Sequence, residues 1–214
     1  MRFLKLITIL LAMLFLSACR HFMPTIHTPP GSNVIPACGG IYMSINNFTA
    51  EPYYLQGDPA WKNDTIGGSN ETISNVGCTL CCASMALYHQ GIYNTPRTLN
   101  AILKNNEGYT PAGWLKWDVI ESISKGYIII DELPKPRYED IDNALKSGAS
   151  AIVKIKVKEP NYHWVLVVGK YRYDYIVKNP GASSKTQQSL SALSKQIYAV
   201  RIMRKNIPPP QKTK

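Results

Sequence analysis

Apolar positions in this chain keep a helical spacing through its middle and turn to strand-like runs afterwards. From Cys78 to Gln90 the residues are apolar or small, with Gly91 where a helix should stop. Thr95 and Pro96 supply an N-cap and a first-turn proline for a helix running to about Asn105. Pro111 to Lys125 is amphipathic through Leu115, Val119, Ile120 and Ile123, and Tyr138 to Ser147 carries Ile141, Ala144 and Leu145 before Gly148. The period then changes. Ala149 to Val157 begins apolar and then alternates, and Tyr162–Lys170, Tyr173–Lys178 and Ile197–Met203 are further strands, with a hairpin turn at Gly169–Tyr173 and Arg172 at its tip. Helices first and an antiparallel sheet second predict an α+β domain, an N-terminal helical half packed on a C-terminal sheet, spanning 51–204.

Outside that domain the pattern differs. Arg2 and Lys5 precede an apolar stretch from Leu6 to Leu16, and Ser17-Ala18-Cys19 follows. This is the layout of a secretory signal, too short for a comfortable membrane span. Leu16-Ser17-Ala18-Cys19 resembles a bacterial lipobox, which makes 1–18 a lipoprotein signal peptide and Cys19 the acylated mature N-terminus. Acyl chains contribute ~0.8 kcal/mol per buried methylene, so the domain is expected to be tethered to a membrane, facing the periplasm or the cell surface. Arg20 in place of an aspartate favours the outer membrane. Residues 19–50 carry scattered Pro and Gly and read as a spacer that ends at most in a short edge strand; 205–214, with Pro208-Pro209-Pro210, read as a disordered basic tail.

Charge narrows the partners. The formal +10 falls by two on removal of Arg2 and Lys5, leaving +8 and an affinity for anionic lipid surfaces or acidic partners. The basic residues form no helix stripe interleaved with aromatics, so nucleic acid is not an expected partner. With Cys19 lipidated and Cys78 set aside, Cys38, Cys81 and Cys82 remain, an odd number that does not suggest a disulfide framework. Adjacent on a helix, Cys81 and Cys82 read as small buried hydrophobes. The C-x-x-C formed by Cys78 and Cys81 has no second pair to complete a zinc site, and neither metal nor cofactor is expected.

Candidate chemistry rests on four residues. A thiol with an ordinary pKa near ~8.5 is weakly ionised at neutral pH, and a helix N-terminus favours its thiolate; Cys78 falls where Gly77 lets a helix begin. His163, inside Tyr162–Gly169, would pair with that thiolate and protonate a leaving amine. Asn179, before Pro180, would orient the imidazole, with Asp174 in reserve. Gln56 would donate to an oxyanion beside the Cys78 backbone N–H. His89, at the end of the cysteine helix, reads as a cation favouring the helix dipole; His21 and His27 lie in the spacer. Cysteine, histidine and asparagine in that order point to papain-like catalysis.

Gln56-Gly57-Asp58-Pro59-Ala60-Trp61, Gly77-Cys78 ahead of a small-residue helix, His163-x-Val165-x-Val167-x-Gly169 and Asn179-Pro180 together resemble the bacteriocin-processing (double-glycine leader) cysteine peptidases, over roughly 52–204. The resemblance implies a papain-like fold, a peptide or protein substrate, and catalytic roles for Gln56, Cys78, His163 and Asn179. That family usually has Asp-Pro where this chain has Asn179-Pro180, and opens its helix Cys-Gly-Pro or Cys-Ala-x-Thr where this chain has Cys78-Thr79-Leu80-Cys81. No transporter domain follows, which suggests a stand-alone member. Two alternatives stand beside the peptidase: a cell-wall amidase or acyl transferase using the same thiol, and a non-catalytic peptide-binding lipoprotein with a degenerate site.

Overall fold

In a computed structural model the structure describes residues 33–47, 52–158 and 161–207. The signal segment, the lipidation position Cys19, most of the spacer and 208–214 lie outside the described residues. In chain order the elements are β1 (Ile35–Pro36), β2 (Cys38–Asn46), α1 (Ile73–Val76), α2 (Cys78–His89), α3 (Pro96–Asn105), α4 (Trp117–Ile123), β3 (Ile128–Leu133), α5 (Tyr138–Ser147), β4 (Ser150–Lys158), β5 (Asn161–Lys178), β6 (Gln188–Ser189), α6 (Leu190–Leu193) and β7 (Gln196–Lys205). Among the described residues no helix is long and apolar enough to cross a membrane.

The fold is mixed α+β, built on a large antiparallel, partly barrel-like sheet ordered β1-β7-β4-β5-β2, with β3 also on β7 and β6 on β5. This corrects the expected division into helices first and sheet second. Residues 35–46, assigned to the spacer by sequence, are strands β1 and β2, and β2 pairs with β5 from Asn46↔Gly169 to Cys38↔Asp174. Strand β3 and helix α5 are interleaved, Ile128 to Leu133 pairing with Lys205 to Val200 of β7. The expected Pro111–Lys125 helix begins only at Trp117, because a turn forms first: Gly113 N–H bonds Thr110 O and Trp114 N–H bonds Thr110 Oγ1.

Helices cover the sheet on both faces, which explains the apolar run in β5. Ile152, Leu166, Val168 and Met203 pack with α2, α3 and α4, whereas Val153, Val165, Val167 and Val200 pack with α5. A strand covered on both sides is apolar continuously, not alternately. Helix α2 is likewise enclosed, with every residue from Leu80 to Leu87 buried. Strand bonding is unbroken from Asn161 to Lys178, where the sequence suggests two strands and a turn. The chain nevertheless doubles back inside β5. Exposed Arg172 has φ 61, and Lys170 and Tyr175 on either side of it meet, the ammonium 4.6 Å from the ring centre.

That reversal rests on a buried polar network. Asp142 of α5 accepts from Lys170 Nζ at 2.7 Å and Tyr175 Oη at 2.8 Å through Oδ1, and from Ile41 N–H at 2.9 Å through Oδ2. Asp142 thereby joins α5, β5 and β2.

Candidate active site

Helix α2 presents Cys78 as its first residue, and the turn before it requires glycine. Gly77 N–H bonds Ile73 O at 2.8 Å, and a Cβ on Gly77 would lie 2.4 Å from that same oxygen. No side chain caps the helix, so its first N–H groups are not consumed by one. Gly77→Ala is expected to cost about 1–3 kcal/mol and to slow Cys78 alkylation, because the start of α2 must shift; a denaturant melt and a labelling rate check both.

His163 comes from β5, and Asn179 follows the end of the same strand. Their separation of sixteen residues would span roughly 50 Å in a straight strand, yet His163 Nε2 and Asn179 Oδ1 are 2.8 Å apart. The reversal at Arg172 makes this contact possible. The proton on the ring can be placed from its neighbours. Gly181 N–H, which can only donate, bonds the same Asn179 Oδ1 at 2.9 Å, and Asn179 Nδ2 donates to Gln188 Oε1 at 2.9 Å. Oδ1 is therefore an acceptor and His163 Nε2 carries a hydrogen, which leaves Nδ1 for Cys78. Gly181 also lies against the ring: a Cβ there would be 3.1 Å from His163 Cε1. Tyr53 completes the support, its Oη accepting from Asn179 N–H at 2.8 Å and donating to Thr186 O at 3.1 Å.

Cys78 and His163 act on each other's titration, in opposite senses. Burial pushes the Cys78 thiol up, but the bond and charge of His163, then Trp164 N–H and the Thr79 hydroxyl, bring it below its ordinary value. Burial pulls the His163 imidazole down, but the Cys78 thiolate and then Asn179 hold it above the usual range. A lowered thiol beside a raised imidazole favours the thiolate–imidazolium form. Chemically, such a pair supplies a nucleophile and, beside it, a proton for a leaving group.

Gln56 is tied to the segments that carry the other three. Its N–H bonds Pro180 O at 2.9 Å, next to Asn179, and its Nε2 donates to Ser74 O at 2.6 Å in α1, just ahead of Cys78. One amide hydrogen remains for another acceptor, while Oε1 is buried with no partner among the described residues. Cys81 and Cys82 are fully buried, and Cys82 Sγ donates to Trp164 O at 3.4 Å, so α2 is fastened to β5 beside His163. Cys78, Cys81 and Cys82 form no disulfide among the described residues.

Two expectations are corrected. Asp174 is engaged elsewhere, accepting from Ser189 Oγ, and from Ser191 N–H at 3.1 Å and Ser191 Oγ at 2.6 Å. His89 is not a cationic cap at neutral pH: partial desolvation, then Lys178 and Lys205 nearby, lower its pKa to about 4. Trp164, Gln188, Tyr53 and Gly181 escaped the sequence reading; Pro180-Gly181 marks a turn, but nothing local ties Tyr53 to Asn179. Among the described residues no three His, Cys, Asp or Glu side chains converge as metal ligands would. No protein family matches this chain in a family comparison, and no curated protein matches it.

Proposed function

We propose that this chain is a lipid-anchored, papain-like cysteine peptidase of the bacterial cell envelope. The observation that carries the reading is the His163–Asn179 hydrogen bond, together with Cys78 at the uncapped start of a buried helix, where His163 lowers its titration. Cys78 thiolate attacks a peptide carbonyl, and the negative oxygen takes hydrogen bonds from the Cys78 N–H and the remaining Gln56 amide hydrogen. As the C–N bond breaks, imidazolium His163 gives its Nδ1 proton to the leaving amine, and a thioester remains on Cys78. Water then attacks the thioester, His163 takes its proton, and the product leaves as a carboxylic acid. The lipobox at Cys19 supports the tether, and the ordered resemblance over 52–204 supports the family. A cell-wall amidase or acyl transferase would use the same thiol; the acceptor of the acyl group separates these from a peptidase.

The pH profile of Cys78 alkylation by iodoacetamide tests this reading on the full-length chain, since a start near residue 40 would remove β1 and the beginning of β2. Rapid labelling that persists below pH 7 and disappears in His163→Ala is expected. Labelling that rises only near the ordinary thiol pKa of ~8.5 in both proteins would overturn it.

A further inference from the structure

A cavity of about 390 Å³ opens between β4, β5 and β7, and the cationic side chains Lys135, Lys154 and Arg201 and the rings of Tyr162 and Tyr198 line it. No acidic side chain is among its walls. Glu132 does pair with Arg201 Nη2 at 2.8 Å, but its side chain is 50% exposed and stands outside the lining. Arg201 Nε is buried and has no acceptor among the described residues. Lys154 sits 4.0 Å above the Tyr162 ring centre, a contact that leaves its ammonium hydrogens available. Burial, and then the Arg201 charge, hold the Lys154 ammonium below its ordinary pKa.

The cavity reaches the helix that begins at Cys78 through one residue. Trp164 O accepts from Cys82 Sγ at 3.4 Å, one helical turn past Cys78, and its ring lies 5.4 Å from the Arg201 guanidinium. On β4 its register partner is Lys154. Tyr162, in the cavity wall, is two residues away along β5, roughly 6.6 Å, which is the reach of about two extended peptide residues.

We infer that this cavity is a substrate subsite that takes an acidic side chain, Asp or Glu, lying within about two residues of the bond presented to Cys78. The inference rests on the peptidase reading and adds a specificity to it. The incoming carboxylate supplies a counter-ion to Lys154 beside the Arg201 guanidinium, while the tyrosine rings hold its methylenes. Charge-assisted hydrogen bonds of this kind are worth a tenfold preference or more over a neutral amide.

The test uses the full-length chain carrying Cys78→Ala, which binds without turnover, and capped alanine hexapeptides with one Glu or one Gln at each position in turn. Calorimetric titration is expected to show one position at which Glu binds about tenfold or more tighter than Gln. That preference should fall to near unity in Lys154→Met and decline in Lys135→Glu, an exposed position that leaves the fold intact, with Gln peptides unaffected. Equal binding of Glu and Gln peptides at every position, or no binding of either, would overturn the subsite. Succinate competing as well as the best peptide would also overturn it, by making the cavity a site for free anions. Cleavage by the wild-type chain, read by mass spectrometry on the same peptides, separates the two claims. Equal cleavage of Glu and Gln peptides sinks the subsite and leaves the hydrolase. Lys154-dependent Glu binding without cleavage of any peptide sinks the hydrolase and supports an acid-selective peptide site.

Discussion

Asp142→Ala is expected to lower folding stability by about 3–5 kcal/mol, read as a lower denaturant midpoint with an unchanged m-value. The side chains of Lys170 and Asp142 are 0% and 3% exposed, so removing the carboxylate strands a buried ammonium. Tyr175 Oη and Ile41 N–H lose their acceptor in the same step. Burial already holds the Lys170 pKa below its ordinary value against the opposing pull of Asp142. Without that pull the Lys170 pKa falls further, which limits the loss. Total stabilities are typically ~5–15 kcal/mol, so the substitution consumes a large share. The damage should concentrate where β5 doubles back, and through it reach the His163–Asn179 contact. The compensated variant Asp142→Leu with Lys170→Met is expected to recover much of the loss, because the uncompensated charge is what costs most. Equal destabilisation of the single and double variants would show that packing, not charge, dominates there.

Legibility in the sequence followed the range of the forces involved. Capping at Thr95–Pro96 and the Gly148 stop are local, and α3 and α5 occupy 96–105 and 138–147 as the pattern indicates. Cys78, His163 and Asn179 were singled out by local context, and the structure shows a hydrogen bond between the last two. Strand β2 was obscured because Gly39 and Gly40 interrupt it and its alternation is confined to Met43 and Ile45, half-buried between exposed neighbours. Strand β3 was passed over although Ile128-Ile129-Ile130 is β-branched throughout. The Asp142–Lys170–Tyr175 network could not be found by inspection, since its members are 28 and 33 positions apart and each is ordinary in its own segment. The order of the elements failed for a related reason. Local period reports the type of each element, whereas the placing of β1, β2 and β3 depends on partners late in the chain, on β5 and β7.

On the peptidase reading proposed above Asn179 is a positioning residue, and its substitutions should move the titration of His163 in opposite directions. In the native chain burial alone would pull the imidazole down, and Cys78 and Asn179 together hold it above ~6.5. Asn179→Ala removes the Nε2–H acceptor, so the imidazolium is lost at lower pH. Asn179→Asp adds a negative charge at the same atom and carries the imidazolium to higher pH; Gln188, partly exposed, can turn its amide to donate where it now accepts. Ring-proton NMR of His163 reads both shifts without any substrate. On a peptide the chain cleaves, the limb of the rate profile that depends on imidazolium moves with them. The limb set by the Cys78 thiol stays nearer its place, because the partner charge beside it is unchanged at low pH. Asn179→Ala should also cost roughly a hundredfold in kcat/KM, part of the 10²–10⁴ that a positioned acid–base group supplies. A structural role alone would lower stability in both variants and leave the His163 titration where it was. Opposite shifts, with the native value between them, are the signature of an acceptor that sets the charge and orientation of the ring.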